Sequence, residues 1–292
     1  MQEGTATVLV FGLGSHPVLG ALYQQLVARG RRRVLFVPLE SYPSSLDFSL
    51  FQGEDGQSGS ITIDGEPPVA FADIVSVCLD GYFITAGGEG LSEEDQQYRQ
   101  AESWAALVAL FKSLSRRCLV ANHVVERDHF HSRLSELYLL HSHGLRVPRT
   151  LVTSNAAQAR AFAEQVGAVM YRPVMGRDLP FRQLQPEDFA RLDEIRLSPV
   201  HFEEAALGAP AGCILVGDNV YVNPRDAHLP DELLEGFRRV ARELGLHLAE
   251  LRLRYVGEGW LVTALHPFLT LEGLQDQEAF LAAAELLETG LT

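Results

Sequence analysis

The stretch GLRVPRTLVTSNAAQARAFAEQVGAVMYRPVMG (residues 144–176) decides the fold of this chain. Its β-branched run at residues 147–152 predicts a short strand. Ser154 or Asn155 is placed to cap a following helix, and Gly167 is placed to end it. Residues 168–171 then predict a second strand, which stops at a proline. The stretch is therefore a strand, a helix and a strand.

A helix is predicted immediately before this stretch, over residues 132–143. Its apolar residues Leu134, Leu137, Tyr138 and Leu140 recur at three-and-four spacing, which indicates one buried face. Gly144 ends the helix in a position that favours glycine.

The residues before it predict an α/β lobe. Strand patterns at residues 7–12, 33–38 and 74–79 are continuous and apolar, as in a buried parallel sheet. A helix at 18–29 is expected to bury Val27 with its leucines, and a hairpin is expected over 47–63. Ser92 caps a helix at 93–113 that is expected to pack through Tyr98 and Trp104 among others.

The residues after it predict a helix at 186–192, a strand at 200–204, hairpins at 213–222 and 247–265, and helices at 231–244 and 276–291. In this order, together with the quoted stretch, the chain resembles the ATP-grasp carboxylate–amine ligases. Within that superfamily it is most similar to the ribosomal-protein glutamate ligases and the peptide-macrocyclising (graspetide, microviridin-type) ligases.

The resemblance implies an α/β and α+β architecture in three parts. These are a pre-ATP-grasp α/β domain at residues 1–118, an ATP-grasp N-lobe with a truncated loop at 119–186, and a C-lobe at 187–292. It also implies ATP and Mg²⁺ as cofactors. Its partners would be a peptide or protein substrate, or an active ATP-grasp ligase, and the family analogy alone suggests a homodimer.

The family's phosphate-binding lysines are replaced in this sequence, in which Lys112 is the only lysine. By the resemblance, Arg133 and Arg172 stand at their positions, and arginine retains the charge that binds phosphate. The loop that would cover the γ-phosphate, residues 176–181, has a single glycine and is stiffened by Pro180. We therefore expect phosphate binding to be weakened.

The family's magnesium ligands are also replaced. Its Asp aligns with Arg252, and its Glu-x-Asn triplet aligns with Ala264, Leu265 and His266. A shift of one residue would bring Glu250 or Glu258 closer to these positions. Two Mg²⁺ ions on a triphosphate need several hard oxygen ligands, so one carboxylate would not hold them. No metal site is therefore predicted here.

Other candidate site residues lie on neighbouring segments. By the resemblance, the strand ending in Glu203 and Glu204 forms the hinge that contacts the adenine of ATP. The catalytic candidates are His266 with Glu203 or Glu204, which would form a new acid–base pair in the cleft that holds ATP in the family. Five histidines form a cluster in the sequence: His123, His129, His131, His141 and His143. They lack the i, i+4 spacing that is typical of a metal site on a helix. Metal binding by this histidine cluster stays an alternative hypothesis.

The composition excludes some classes of function. The formal net charge of −14 disfavours nucleic acid or an anionic membrane as a partner. The three cysteines are too widely spaced for a disulfide framework or a metal pair, which favours buried thiols in the cytoplasm. The sequence shows neither a signal peptide nor a run of about 18 apolar residues that would span a membrane.

Three hypotheses follow. The first is a degenerate ATP-grasp protein that retains its cleft as a binding surface or acts as a partner subunit. The second is an active ATP-dependent carboxylate–amine ligase that uses Arg133 and Arg172 with unusual metal ligands. The third is a metal-binding protein that uses the histidine cluster.

Overall fold

A computed structural model describes residues 6–54, 56–80, 90–122, 133–174, 180–257, 259–270 and 273–290. The strands in these ranges are β1 Thr7–Gly12, β2 Arg33–Pro38, β3 Leu46–Gly53, β4 Gly56–Ile63, β5 Val69–Ala70, β6 Ile74–Leu79, β7 Leu119–Ala121, β8 Thr150–Thr153, β9 Val169–Pro173, β10 Arg182–Gln183, β11 Val200–Glu204, β12 Ala209–Val216, β13 Asn219–Asn223, β14 Leu248–Val256 and β15 Gly259–His266. The α-helices are α1 Pro17–Arg29, α2 Glu93–Leu114, α3 Arg133–Ser142, α4 Ala156–Val166, α5 Asp231–Glu243 and α6 Gln277–Thr289. None of the helices in these ranges combines the length and apolar character needed to cross a membrane.

The first sheet is parallel, with strand order β2-β1-β6-β7. All six residues of β1 are buried, as expected for a strand covered on both faces. The observed bounds of β1, β2 and β6 are those that the sequence predicts. Gly30 ends α1 in the left-handed conformation (φ 61°), which glycine adopts without strain.

Each face of this sheet belongs to a different core. One face packs against α2 and the small antiparallel sheet β3-β4-β5 through Leu9, Phe11 and Phe111. The other face packs against α1, α6 and parts of β12 and β14. The last helix of the chain thus packs on its first sheet, and the Ser76 hydroxyl donates a hydrogen bond to the carbonyl of Leu287 (2.5 Å). The domain boundaries after residues 118 and 186 remain predictions.

The second sheet has strand order β10-β9-β11-β8 and is antiparallel. Helix α4 and a 3-10 helix, Pro186–Leu197, cover it around a small core that includes Phe202. Asn155 caps α4 by accepting hydrogen bonds from the amides of Ala157 and Gln158. The predicted strand at residues 147–152 begins only at Thr150, where pairing with β11 starts.

The third sheet, β13-β12-β14-β15, is antiparallel and packs against α3 and α5. Its tight turns place Gly217 and Gly257 at positive φ (59° and 54°). The two hairpins match the sequence prediction, because each consists of apolar strands joined at a glycine.

Some helix residues predicted to be buried are exposed. Tyr138 on α3 is 76% exposed and Tyr98 on α2 is 68% exposed, and Leu134 and Val27 are also exposed. Periodicity identifies the apolar side of a helix, but neighbouring elements determine which part of that side is covered. The prediction of burial was therefore wrong at these four positions and at Trp104, which is 39% exposed.

Asn122 joins the first sheet to the third. Its side chain is fully buried and directly follows β7. The side-chain oxygen accepts hydrogen bonds from the amides of His247 (2.8 Å) and Leu248 (3.1 Å). Its amide nitrogen donates to the carbonyls of Leu248 and Pro267. One side chain thus pairs backbone groups at the start of β14 that would otherwise be buried without partners.

We expect Asn122→Ala to lower the free energy of unfolding by about 2–4 kcal/mol, because several buried backbone groups lose their partners. Urea denaturation measures this loss. The control is Asn219→Ala, which truncates an exposed asparagine at the start of β13 and should change stability little. Equal effects of the two substitutions would contradict the role assigned to Asn122.

Candidate functional site

A cleft of about 690 Å³ lies between the second and third sheets. Strands β9 and β11 contribute one wall, and β12, β14 and β15 contribute the other. Its charged lining residues are three carboxylates and two guanidiniums, namely Glu203, Glu204, Glu250, Arg252 and Arg254. Four of the predicted site positions, Glu203, Glu204, Arg252 and Ala264, line this cleft.

Arg133, a predicted phosphate-binding residue, lies at the start of α3 and is only 6% exposed. Its guanidinium donates hydrogen bonds to both carboxylate oxygens of Glu203 (3.2 Å each) and to Glu136 Oε1 (2.5 Å). It also donates to the carbonyl of Thr263 on β15 (2.8 Å). The predicted cation is therefore balanced by two carboxylates of the same chain.

The ionisation of this cluster follows from its contacts. Burial alone would lower the pKa of Arg133, but the charges of Glu136 and Glu203 outweigh burial and raise that pKa. Burial alone would raise the pKa of Glu203, but the hydrogen bond with His201 (3.3 Å) and the charge of Arg133 lower it. Arg133 and Glu203 are therefore held in their charged forms.

Glu204, the second predicted hinge residue, is paired differently. Arg149 donates two hydrogen bonds to its carboxylate (2.8 and 3.0 Å) at the rim of the cleft. These hydrogen bonds lower the pKa of Glu204. Both hinge carboxylates thus line the cleft, and each has an arginine partner.

Arg172, the second predicted phosphate-binding residue, is buried on β9. Its guanidinium carbon lies 4.2 Å from the ring centre of Phe181, which is cation–π geometry. The same ring contacts His201 edge-on, with ring centres 5.5 Å apart. Phe181 lines the cleft. Of the predicted glycine-poor loop, residues 176–179 lie outside the described residues.

The positions aligned with the family's magnesium ligands lie on the last hairpin. Arg252 on β14 is directly opposite Ala264 on β15, and both line the cleft. The guanidinium of Arg252 is 3.5 Å from a carboxylate oxygen of Glu250. Glu250 also accepts hydrogen bonds from the amide (3.1 Å) and hydroxyl (2.6 Å) of Thr270. These two aligned positions thus present a cation and a methyl group.

His266, a catalytic candidate, lies opposite Glu250 in the β14–β15 ladder. The described lining of the cleft includes Glu203 and Glu204 but does not include His266. Glu258, the other alternative metal ligand, lies outside the described residues. The structure therefore brings the two hinge carboxylates to the cleft without bringing His266 into its lining.

The histidine cluster is described only in part. His123, His129 and His131 lie outside the described residues. His141 is exposed at the end of α3, and His143 contacts the carbonyl of Leu139 (3.0 Å) and the carboxylate of Glu243 (3.0 Å). Among the described residues, no three His, Cys, Asp or Glu side chains form a group that could hold a metal.

Three residues of this site escaped the sequence analysis: Arg149, Phe181 and Thr270. Arg149 and Thr270 each contact a cleft residue at least 20 positions away, and Phe181 lines the cleft itself. Arg149, for example, pairs with Glu204 across 55 positions of the chain. A local pattern would not have identified them.

No protein-family model and no curated protein matches the chain. Solved structures do match it. The macrocyclase MdnC of Microcystis aeruginosa, bound with precursor peptide MdnA, has a TM-score of 0.79 at 16% identity, over 96% of this chain and 99% of that chain. A RiPP-associated ATP-grasp ligase of Chryseobacterium gregarium, in complex with ADP and a leader and core peptide, has a TM-score of 0.78 at 13% identity, over 96% of each chain.

The ATP-grasp ligase PsnB, complexed with a phosphomimetic variant of its minimal precursor, Mg and ADP, has a TM-score of 0.75 at 20% identity, over 98% of this chain and all of that chain. These similarities cover nearly the whole length of each chain. The predicted ATP-grasp fold, including its α/β and α+β composition, is therefore confirmed.

We expect Glu203→Gln to destabilise the protein by about 3 kcal/mol at neutral pH, because it removes one carboxylate from a buried charged cluster. Because the pKa of Glu203 is lowered, its charge stabilises the folded wild type at pH values above 4.5, the ordinary pKa of a glutamate. That contribution is lost as the pH falls through the folded-state pKa. The difference in free energy of unfolding between wild type and Glu203→Gln should therefore shrink below about pH 4.5.

Urea denaturation between neutral and acidic pH measures this difference. Glu187→Gln, which alters an exposed carboxylate, is the control and should show little change at any pH. A difference for Glu203→Gln that stayed constant down to acidic pH would contradict the role of its charge.

Proposed function

We propose that this chain is an ATP-grasp-fold binding protein or partner subunit whose cleft has lost magnesium–nucleotide chemistry. The observation that supports this most directly is the pair Arg252 and Ala264, which face each other across β14 and β15 and line the cleft. By the family resemblance, these positions would carry oxygen ligands for Mg²⁺.

The residues present do not fit a pair of magnesium ions. Mg²⁺ requires hard oxygen donors in a near-octahedral arrangement, and a guanidinium supplies none. A guanidinium and a divalent ion 4 Å apart repel each other by roughly 8 kcal/mol at an effective dielectric constant of 20. Glu250 is the nearest carboxylate, and its oxygens are engaged by Thr270 and Arg252.

The two candidate phosphate cations support the same proposal. Arg133 is buried between Glu136 and Glu203, so binding a phosphate would require it to leave carboxylates that stabilise its charge. Arg172 lies against the face of Phe181. Both arginines hold cleft residues in position, and we infer that neither serves the γ-phosphate of a nucleotide.

A peptide is the partner class that we propose for the cleft. MdnC and PsnB, which share this fold, are complexed with precursor peptides. The cleft volume of about 690 Å³ accommodates several side chains, and its walls carry both charged and apolar groups. An active ATP-grasp ligase is the alternative partner, which would hold the same peptide while supplying the chemistry that this chain lacks.

Isothermal titration of the protein with ATP and MgCl₂ tests the loss of nucleotide chemistry. We expect no saturable heat for the wild type. The variant Arg252→Asp/Ala264→Glu replaces the cation and the methyl group of the cleft lining by two carboxylates, and we expect it to show magnesium-dependent binding. Arg252→Ala, which removes the charge without adding a ligand, is the control and should remain silent. Saturable binding of magnesium and ATP to the wild type would favour an active ligase.

Selection from a displayed peptide library tests the proposed partner class. We expect selected peptides to bind wild type at least roughly tenfold more tightly than Ala264→Trp, because the indole fills the centre of the cleft. Ala70→Trp places the same side chain at an exposed position on β5 and should bind like wild type. Peptides that bind all three proteins equally would show that the cleft is not the site.

A further inference from the structure

Strand β13 forms an open edge of the third sheet. It comprises Asn219–Asn223, and among the strands that the structure describes it pairs with β12 alone. A two-residue turn, Gly217–Asp218, joins the two strands, so the ladder begins with a hydrogen-bonded pair at Asn219. Because such pairs alternate along an antiparallel ladder, the backbone groups of Val220 and Val222 point away from β12. The edge therefore offers hydrogen-bonding groups to a further strand.

The sequence of this edge lacks the usual protection against pairing. Natural edge strands are commonly guarded by a charged side chain, a proline or a bulge. Strand β13 reads Asn-Val-Tyr-Val-Asn, without a charge or a proline, and its register with β12 is unbroken. Valine and tyrosine also favour the extended backbone of a strand. The edge is therefore suited to accept a partner strand.

One end of this edge reaches the cleft. Asn223 and Pro224 line the cleft, whereas Asn219 lies at the opposite end of β13, next to the turn. Asn223 pairs with Gly212 on β12, and Gly212 pairs in turn with Arg252, another lining residue of the cleft. A chain held in the cleft can therefore leave it past Asn223 and continue along β13.

Carboxylates flank the edge on the face that carries Tyr221. Burial and, after it, the nearby charges of Glu278, Asp276 and Glu285 raise the pKa of Tyr221, which places these carboxylates beside β13. Glu278 and Glu285 are exposed. Arg225 lies 2.8 Å from Glu278 and 3.6 Å from Asp276, so it offsets one of the three charges. The face keeps an excess of negative charge, which favours a basic ligand.

The opposite face of β13 is apolar. Val220 and Val222 are half-buried at the margin of the core that α5 covers, together with Leu233 and Leu234. A strand added to the edge places its successive side chains alternately on the two faces. One set would meet the carboxylates of α6, and the other would lie beside these aliphatic side chains. The edge thus selects a segment in which basic and apolar residues alternate.

We propose that β13 binds an extended segment of alternating basic and apolar residues, and that this segment continues from a peptide held in the cleft. It pairs antiparallel to β13, since antiparallel ladders are slightly more stable per residue than parallel ones. Because β13 runs towards the cleft, the segment follows the cleft-bound part in the peptide chain. Main-chain hydrogen bonds supply affinity and the two faces supply specificity. This inference rests on the proposed peptide-binding function and adds the chemical class of the peptide.

Fluorescence anisotropy of labelled peptides tests the proposal. The probes are a peptide selected for the cleft and two longer forms, which add Lys-Val-Lys-Val-Lys or Glu-Val-Glu-Val-Glu after its last residue. We expect the lysine extension to tighten binding to the wild type by roughly tenfold, because it adds main-chain hydrogen bonds and ion pairs. The glutamate extension should give no gain, because its carboxylates face those of α6. A lysine extension without a gain would overturn the proposal.

Two matched double variants separate a local effect from general attraction to an acidic chain. We expect Glu278→Gln/Glu285→Gln to reduce the gain from the lysine extension by roughly fivefold. Glu94→Gln/Glu102→Gln changes the net charge equally at exposed positions on α2 and should leave the gain unchanged. Equal losses in the two double variants would show that the extension does not lie beside α6.

A proline tests the hydrogen bonds of the edge. Val222→Pro removes an amide that faces the added strand and leaves the ladder with β12 intact. We expect it to abolish the gain from the lysine extension. Val222→Ala, which shortens the same side chain but keeps the amide, should retain most of that gain. Equal gains for the two variants would contradict strand addition.

Amide hydrogen exchange of the wild type applies if the proline variant fails to fold. The lysine-extended peptide should slow exchange at Val220 and Val222 by roughly tenfold or more, and at Tyr221, whose amide already faces β12, by less. Unchanged exchange at both valines would refute pairing with β13. If Ala264→Trp still weakens the unextended peptide, the proposed function of the cleft survives that result. If Ala264→Trp does not weaken it, the proposed function itself fails.

Discussion

A buried guanidinium needs negative charge around it, and Arg133 obtains that charge from two different parts of the chain. Glu136 lies one turn away on α3, whereas Glu203 lies on β11, and the third contact is a carbonyl of β15. Glu136 additionally accepts a hydrogen bond from the amide of Leu265 (3.0 Å). Removing any of these partners would leave a charge or a polar group in a low-dielectric environment. The cluster thereby fixes α3, the hinge strand and the last hairpin relative to one another, and so sets the shape of the cleft.

The same cluster changes what the cleft can bind. A charge that must stabilise its own fold is costly to redirect to a ligand, because its protein partners would be left buried and unpaired. Arg149 and Arg172 also have partners within the chain: Arg149 pairs with Glu204 at the exposed rim, and buried Arg172 lies against the ring of Phe181. In a chain with one lysine and a net charge of −14, Arg133, Arg149 and Arg172 are thus engaged with carboxylates or an aromatic ring. Positive charge here stabilises the architecture.

The sequence predicts elements well where burial is continuous. The bounds of β1, β2 and β6 are matched, because a strand covered on both faces is an unbroken apolar run. Prediction fails where a distant neighbour decides the outcome. Tyr98 and Tyr138 continue apolar patterns but extend past the elements that could cover them. Glu203, which pairs with Arg133, and the partners of Asn122 lie some 70 to 145 positions away, so no local pattern contains them.

The two sides of the first sheet have separate roles in the fold. Helix α2 covers the face that packs on β3, β4 and β5, whereas the opposite face packs against α6 and the third sheet, which forms one wall of the cleft. The first sheet therefore supports the cleft wall through the face opposite α2, because residues of β12, β14 and α6 share that core.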